Sequence, residues 1–137
     1  MDLKKRSDCP VSSALDIWGD KWSLLIVMDL MFSKQCTYGD FLKSEEKIAT
    51  NILASRLQML ETNGVINKQN HPDSKAKVLY KLTQKGVDLL PLMIEINLWA
   101  DKYFTLPTER RAILEEVKKD KETFIREKTI DLLASTS

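Results

Sequence analysis

The stretch Lys47–Ile66, KIATNILASRLQMLETNGVI, decides the fold. Its apolar residues return with helical spacing and Asn63-Gly64 closes the run, so a helix is expected over about Thr50–Asn63. With Leu53 at the centre of the buried face, Ala49, Leu57 and Leu60 fall within about 40° of it at helical geometry. The opposite side carries Asn51, Ser55, Gln58 and Thr62, with Ala54 beside them, and no charge. In a chain of which 30% is charged, an outward helix face normally takes a good part of that share. A strip of small, neutral hydrogen-bonding groups suits a helix that lies on a groove floor. Asn and Gln can pair with an adenine edge, Ser and Thr can serve any base, and an Ala or Thr methyl can meet a thymine methyl. For this helix alone a plain solvent face is the simpler reading; its surroundings reverse the balance.

Directly upstream, CTYGDFLKSE places Thr37 and Asp40 three residues apart, the spacing of a capping box, and predicts a short helix from Tyr38 to about Lys43. Two helices joined by a turn form a helix-turn-helix. Directly downstream, VINKQNH and KVLYKLT read as two short strands around the turn-forming tip PDSKA, a β-hairpin wing. His71, Lys75 and Lys77 cluster at that tip, where they can meet phosphates or a minor groove. The charge distribution agrees. Residues 33–87 hold nine basic and five acidic groups, whereas the whole chain is only +1. Candidate DNA contacts are Thr37 and Tyr38 at the first helix start, then Thr50, Asn51, Ala54, Ser55 and Gln58 on the second, and the three wing residues. Arg56 joins them with a competing reading. It lies on the flank of the buried stripe, so its stem is expected to pack on the core while its head pairs with an acid or a phosphate.

The rest of the 137-residue chain supplies the frame. A helix is expected from Pro10 to about Trp18, stopped by Gly19, and a second over Lys21–Phe32, KWSLLIVMDLMF, apolar on nearly every side and hence central to the core. Trp18 and Trp22, flanking that turn, read as core anchors. Thr83 can cap a long helix from Gln84 to about Phe104, in which Pro91 costs about 3 kcal/mol or bends the axis. A last helix is expected from near Pro107 to Ala134, with Ile113, Leu114, Val117, Phe124, Ile125 and Leu132 on one side and KKDKE interrupting the stripe. The fold class is mainly α with a small hairpin wing, a single winged helix-turn-helix domain: helix-turn-helix about 37–64, wing about 65–82, C-terminal helices about 84–134.

At this point the motifs carry a resemblance. CPV…ALDIWGDKWSLLIV, the helix with its Leu-Glu…Gly-Val-Ile ending, the strand KVLYKLTQKG and the LPLM…W helix resemble the HxlR-type family of bacterial winged helix-turn-helix regulators, over about Cys9–Phe104. The resemblance implies a homodimeric DNA-binding transcription factor whose terminal helices form the dimer interface, and a thiol in the CPV motif, here Cys9, that senses electrophiles or oxidants in some members. The chain departs from the pattern in three places. Ala49 and Asn51 stand where the family usually has Ser and a basic residue, the wing tip reads DSKAK where a proline pair is usual, and the tail after Phe104 is longer.

Cys9 precedes Pro10 and is expected at a helix N-cap, where the helix terminus and Lys4, Lys5 and Arg6 favour a thiolate and Asp8 opposes it. Its bland alternative is an inert cysteine packed at the dimer seam, and Cys36 reads as incidental. Two cysteines make neither a disulfide scaffold nor a zinc pattern. With one histidine, in the wing, and no glycine-rich phosphate loop, neither enzyme chemistry, a cofactor nor a metal is expected. The longest apolar run is too short to span a bilayer and no signal-peptide pattern follows the basic start, so a cytoplasmic protein is expected. The expected partners are double-stranded DNA and a second copy, with an electrophile or other small effector. The alternative is a winged-helix module that binds protein without specific DNA recognition.

Overall fold

The computed structural model describes residues 7–33, 35–44 and 46–134. In chain order the elements are α1 (Pro10–Trp18), α2 (Ser23–Ser33), β1 (Gln35–Thr37), α3 (Tyr38–Leu42), α4 (Thr50–Thr62), β2 (Ile66–His71), β3 (Ser74–Leu82), α5 (Gln84–Val87), α6 (Leu90–Tyr103), α7 (Thr108–Lys119) and α8 (Lys121–Ala134). The chain divides into two compact units, residues 1–86 and 87–137.

The first unit is the winged helix. Pro10 at the first helical position starts α1, and the Gly19 backbone N–H ends it on the Leu15 carbonyl. Asp20 then caps α2: its Oδ2 accepts the backbone N–H groups of Trp22 and Ser23 at 2.9 and 3.0 Å. The helix starts at Ser23, two residues past the expected Lys21, after the turn that Asp20 closes. As its composition required, α2 is central, with Ile26, Val27, Leu30 and Met31 buried. Trp18 and Trp22 are not core anchors. Both are half-buried, and Lys21 Nζ lies 4.8 Å above the Trp22 ring. The reason is that α1 buries no residue of its own, so the turn between α1 and α2 stays at the rim.

The capping box forms as spaced. Thr37 Oγ1 accepts the Asp40 N–H at 3.2 Å, and Asp40 Oδ2 accepts the Thr37 N–H at 2.9 Å. The turn before α4 places Lys47 in the left-handed region, φ 50°. Leu53, Leu57 and Leu60 of α4 are buried on one stripe. Its end is a Schellman-type stop: Gly64 at φ 75°, with the Val65 N–H returning to the Leu60 carbonyl at 2.9 Å. The hairpin β2–β3 follows, but its turn is only Pro72-Asp73: Ser74, Lys75 and Ala76 of the expected tip belong to β3, because His71 pairs with Ser74, and the register is irregular between Asn70 and His71. Sequence reading missed β1. This three-residue strand pairs antiparallel with β3, Cys36 opposite Tyr80, and makes the order β1-β3-β2.

The second unit corrects two long helices. The expected run from Gln84 to Phe104 is broken between α5 and α6, and Pro91 is the second residue of α6. There its missing N–H is one that no helix partner would have used, so the expected cost is avoided by starting a new helix. The expected run from Pro107 to Ala134 is also two helices, because Asp120 leaves helical geometry (φ −162°, ψ 92°). Asp120 then caps α8, accepting the Thr123 N–H at 3.1 Å and its hydroxyl at 2.7 Å. Both α7 and α8 pack against α6 and each other. Leu114, Val117 and Leu132 of the expected stripe are buried, while Ile113, Phe124 and Ile125 are half-buried. Lys118 pairs with Asp101 at 2.6 Å and Lys121 with Glu95 at 2.7 Å. Among the described residues no helix is long and apolar enough to cross a membrane.

One deficiency of the first unit is testable. The N-cap of α4 is Ala49, in extended conformation, and it offers no side-chain acceptor to the helix start. Ala49→Ser should raise stability by about 1 kcal/mol, read as an increased midpoint in a urea melt.

Candidate nucleic-acid interface

The outward strip of α4 is present as its periodicity required. Asn51, Ala54, Ser55, Gln58 and Thr62 are all exposed, as is Thr50 at the helix start. None of the neighbouring charges occupies that strip. Arg56 is half-buried on the flank, its Nη1 3.7 Å from Asp20 Oδ1. The structure therefore gives this arginine an acid partner, the plainer of its two expected fates. Burial pushes the Asp20 carboxyl up, but the Ser23 hydroxyl, the Trp22 and Ser23 N–H groups and the Arg56 charge outweigh it. The group is held below the ordinary carboxylate range.

The helix α3 is tied to α4 at their near ends. Tyr38 donates its hydroxyl to the Thr50 carbonyl at 2.8 Å, and Thr37 is engaged in the capping box. Both candidates thus have structural employment at the helix starts, and Thr37 and Tyr38 remain half-buried rather than enclosed. At the wing, Lys75 and Lys77 are exposed, while His71 is half-buried with its Nδ1 accepting the Asp73 N–H at 3.0 Å.

Between α3 and the wing lies an open cleft of about 350 Å³, with Thr37, Tyr38 and Lys43 on one side and Lys77, Val78 and Tyr80 on the other. It exists because β1 pairs with β3 and so brings the start of α3 beside the wing strand. The Thr37 N–H chiefly, with the Thr37 hydroxyl and then the Lys43 and Lys77 charges, outweighs burial and holds the Asp40 carboxyl at its rim below the usual range. Lys43 had no sequence signal as a site residue; only the strand pairing places it opposite Lys77.

The two cysteines differ sharply. Cys9 is exposed, at the N-cap of α1, with no side-chain capping bond, although its carbonyl accepts the Ser13 N–H at 2.9 Å. Lys4, Lys5 and Arg6, expected to bear on it, lie outside the described residues. Cys36 is buried on β1, and burial, with Asp29 and Asp40 nearby, pushes its thiol up to about 11. The thiol form therefore dominates at neutral pH. Brief alkylation of the native protein with iodoacetamide at pH 8 should label Cys9 and leave Cys36 unlabelled until the chain is unfolded, as peptide mass mapping would show.

Comparison with known proteins agrees with this geometry. Residues 17–107 match the model of the HxlR-like helix-turn-helix family. An uncharacterized HTH-type transcriptional regulator of Synechocystis, sll1512, is 34% identical over 89 residues, 65% of this chain and 65% of that protein, so the match spans just under two thirds of that relative. The HTH-type transcriptional regulator YodB of Bacillus subtilis is 33% identical, over 69% of this chain and 85% of YodB. The structure of reduced YodB superposes with a TM-score of 0.58, covering 71% of this chain and 95% of that one at 30% identity. The quinone-bound form gives 0.59 at 31% identity, covering 69% and 99%. The crystal structure of PA1607 gives a TM-score of 0.66 at 41% identity, over 75% of this chain and 70% of that one. With the winged helix, its basic wing and the uncharged strip of α4 already in place, these matches make the chain a member of the HxlR-like helix-turn-helix family of transcriptional regulators.

Proposed function

We propose that the protein binds inverted-repeat operators in the cytoplasm as a homodimer, that α4 reads base edges, that the wing and the Lys43–Lys77 cleft hold the backbone, and that Cys9 makes binding responsive to thiol-reactive compounds. The observation that carries the reading is the uncharged, exposed strip of α4, in the same unit as a wing with exposed lysines. Phosphate contacts position a protein on DNA without carrying sequence, whereas base contacts specify it. The two residue sets separate these roles spatially.

Dimerisation is supported by apolar surface left uncovered in each unit. On α1 of the first unit, Val11 and Leu15 are exposed. On α6 of the second, Ile96, Trp99 and Tyr103 are exposed with Phe104 just beyond, and the Trp99 ring lies 5.2 and 6.1 Å from those of Tyr103 and Phe104. Large aromatic groups of this kind are far more at home in an interface than in water. A two-fold dimer places two recognition helices about 34 Å apart, which calls for an operator with two-fold symmetry.

The roles can be tested separately in gel-shift titrations against the protein's own operator and a random duplex. Asn51→Ala and Ser55→Ala should each weaken operator binding by about 1–3 kcal/mol and leave random-duplex binding almost unchanged. Lys75→Ala with Lys77→Ala should weaken both equally, each lost phosphate contact lowering the slope of log affinity against log salt by about 0.9. Equal losses on both duplexes for the α4 variants would remove base reading from that strip.

Thiol control rests on exposure of Cys9 at the start of α1, the helix with uncovered apolar residues. Modification there adds bulk to a surface we assign to the dimer seam. A cost of about 1.4 kcal/mol to the binding-competent dimer lowers affinity tenfold. YodB, a relative, has been solved with a quinone bound. Diamide or a quinone should release the wild-type protein from its operator. Cys9→Ser should bind normally and no longer respond, and Cys36→Ser should still respond. Release of the Cys9→Ser protein as readily as wild type would return Cys9 to a packing role.

A further inference from the structure

Arg56 is the one arginine among the described residues of the first unit. It stands on the flank between the buried Leu53-Leu57-Leu60 stripe and the exposed strip, half-buried, with a side-chain exposure of 27%. Its partner is on another element. Asp20 Oδ1 lies 3.7 Å from Arg56 Nη1. The same carboxylate is fixed independently of the arginine, because it accepts the Trp22 and Ser23 N–H groups at 2.9 and 3.0 Å and the Ser23 hydroxyl at 2.5 Å. Ser23 is itself fully buried. The acid is therefore a rigid post at the N-terminus of α2, and the arginine is the member of the pair that is held.

An arginine head is a strong, planar phosphate ligand on a long flexible stem. Released from Asp20 and still attached to α4, it would be a cation beside the groove that the exposed strip enters. We infer that Asp20 is a specificity-determining residue: by pairing with Arg56 it keeps that guanidinium off the DNA backbone, so that the recognition helix contributes base contacts and little sequence-independent attraction. The inference rests on the DNA-binding reading above. A freed Arg56 would help the loosely docked complex on random sequence most, because there no base contact fixes the register of α4. Such attraction is salt-dependent and blind to sequence.

The test is a salt series of gel-shift titrations on random and operator duplexes with wild type, Asp20→Asn, Arg56→Gln and the double variant. Asn and Ser are both good N-caps, so Asp20→Asn keeps an acceptor at the start of α2, and Asp20→Ser serves as an independent second replacement. Thermal melts confirm that each variant folds. Asp20→Asn and Asp20→Ser should steepen the log–log salt slope on random duplex by about 0.9, the increment of one phosphate contact, raise random-duplex affinity severalfold at low salt, and lower the ratio of operator to random binding. Arg56→Gln alone should leave the wild-type slope unchanged and abolish the effect of Asp20→Asn. Three results would overturn the inference: an unchanged slope in both Asp20 variants, the same change when Arg56 is already Gln, which would mark a general charge effect, or a flatter slope in Arg56→Gln alone, which would mean that Arg56 already holds a phosphate. Failure of the wild-type protein to bind any duplex at any salt would be a different outcome. It would remove the DNA-binding reading and this inference with it.

Discussion

The joint at which α4 becomes the wing constrains the rest of the first unit. Gly64 turns the chain at φ 75°, and the carbonyls it leaves are gathered by a single residue at the far end of the hairpin. Thr83 directs its hydroxyl to the Gly64 and Val65 carbonyls, and its Oγ1 accepts the Gly86 N–H at 3.2 Å. Lys85 Nζ donates to the Asn63 carbonyl at 2.8 Å, where a cation also suits the negative end of α4. Gly86 is required by the closeness of this approach, since a Cβ there would lie 2.3 Å from the Val65 oxygen. Both ends of the hairpin are thus fixed to the C-terminus of α4. The angle between that helix and the wing is set by hydrogen bonds rather than by a hinge.

From that joint the division of labour follows. The strip of α4 faces outward because Leu53, Leu57 and Leu60 are committed inward, and no rotation of the helix satisfies both the core and a charged outer face. Lysines are placed instead on the wing and at the C-cap of α3, where a pairing of only three residues, β1 with β3, brings the elements together. Neutral groups on α4 and cations on the wing and beside α3 suit the two chemistries of duplex DNA, base edges in the groove and phosphates on the backbone. The same economy appears at Asp20, where one carboxylate both starts α2 and holds Arg56.

The legible features were those whose physics is local. Helical spacing identified α4 and its two faces, the Thr37–Asp40 spacing gave the capping box, Pro10 and Gly64 gave a start and a stop, and the turn-forming tip gave the hairpin. Each depends on groups within a few residues of one another, so sequence alone contains the whole interaction. The burial of Cys36 was not legible, because it follows from the register of Cys36 with Tyr80 on a strand far along the chain. Nor was Lys43 as a neighbour of Lys77, for the same reason.

The breaks at Leu89 and Asp120 show the limit from the other side. Sequence marked both places, by Pro91 and by KKDKE, but could not decide between a bent helix and two helices. That choice depends on whether a separate α7 and α8 can each bury an apolar side with α6, which is a matter of packing. Trp18 and Trp22 belong here too: composition calls them core residues, yet no part of the described chain covers them fully. Sequence by itself determined α1, α4 and the hairpin, the Thr37–Asp40 capping box and which face of α4 is free of charge. Tertiary structure alone decided which distant residues share a cleft, which thiol is sealed away and which acid holds Arg56, because those depend on contacts between segments that no local pattern links.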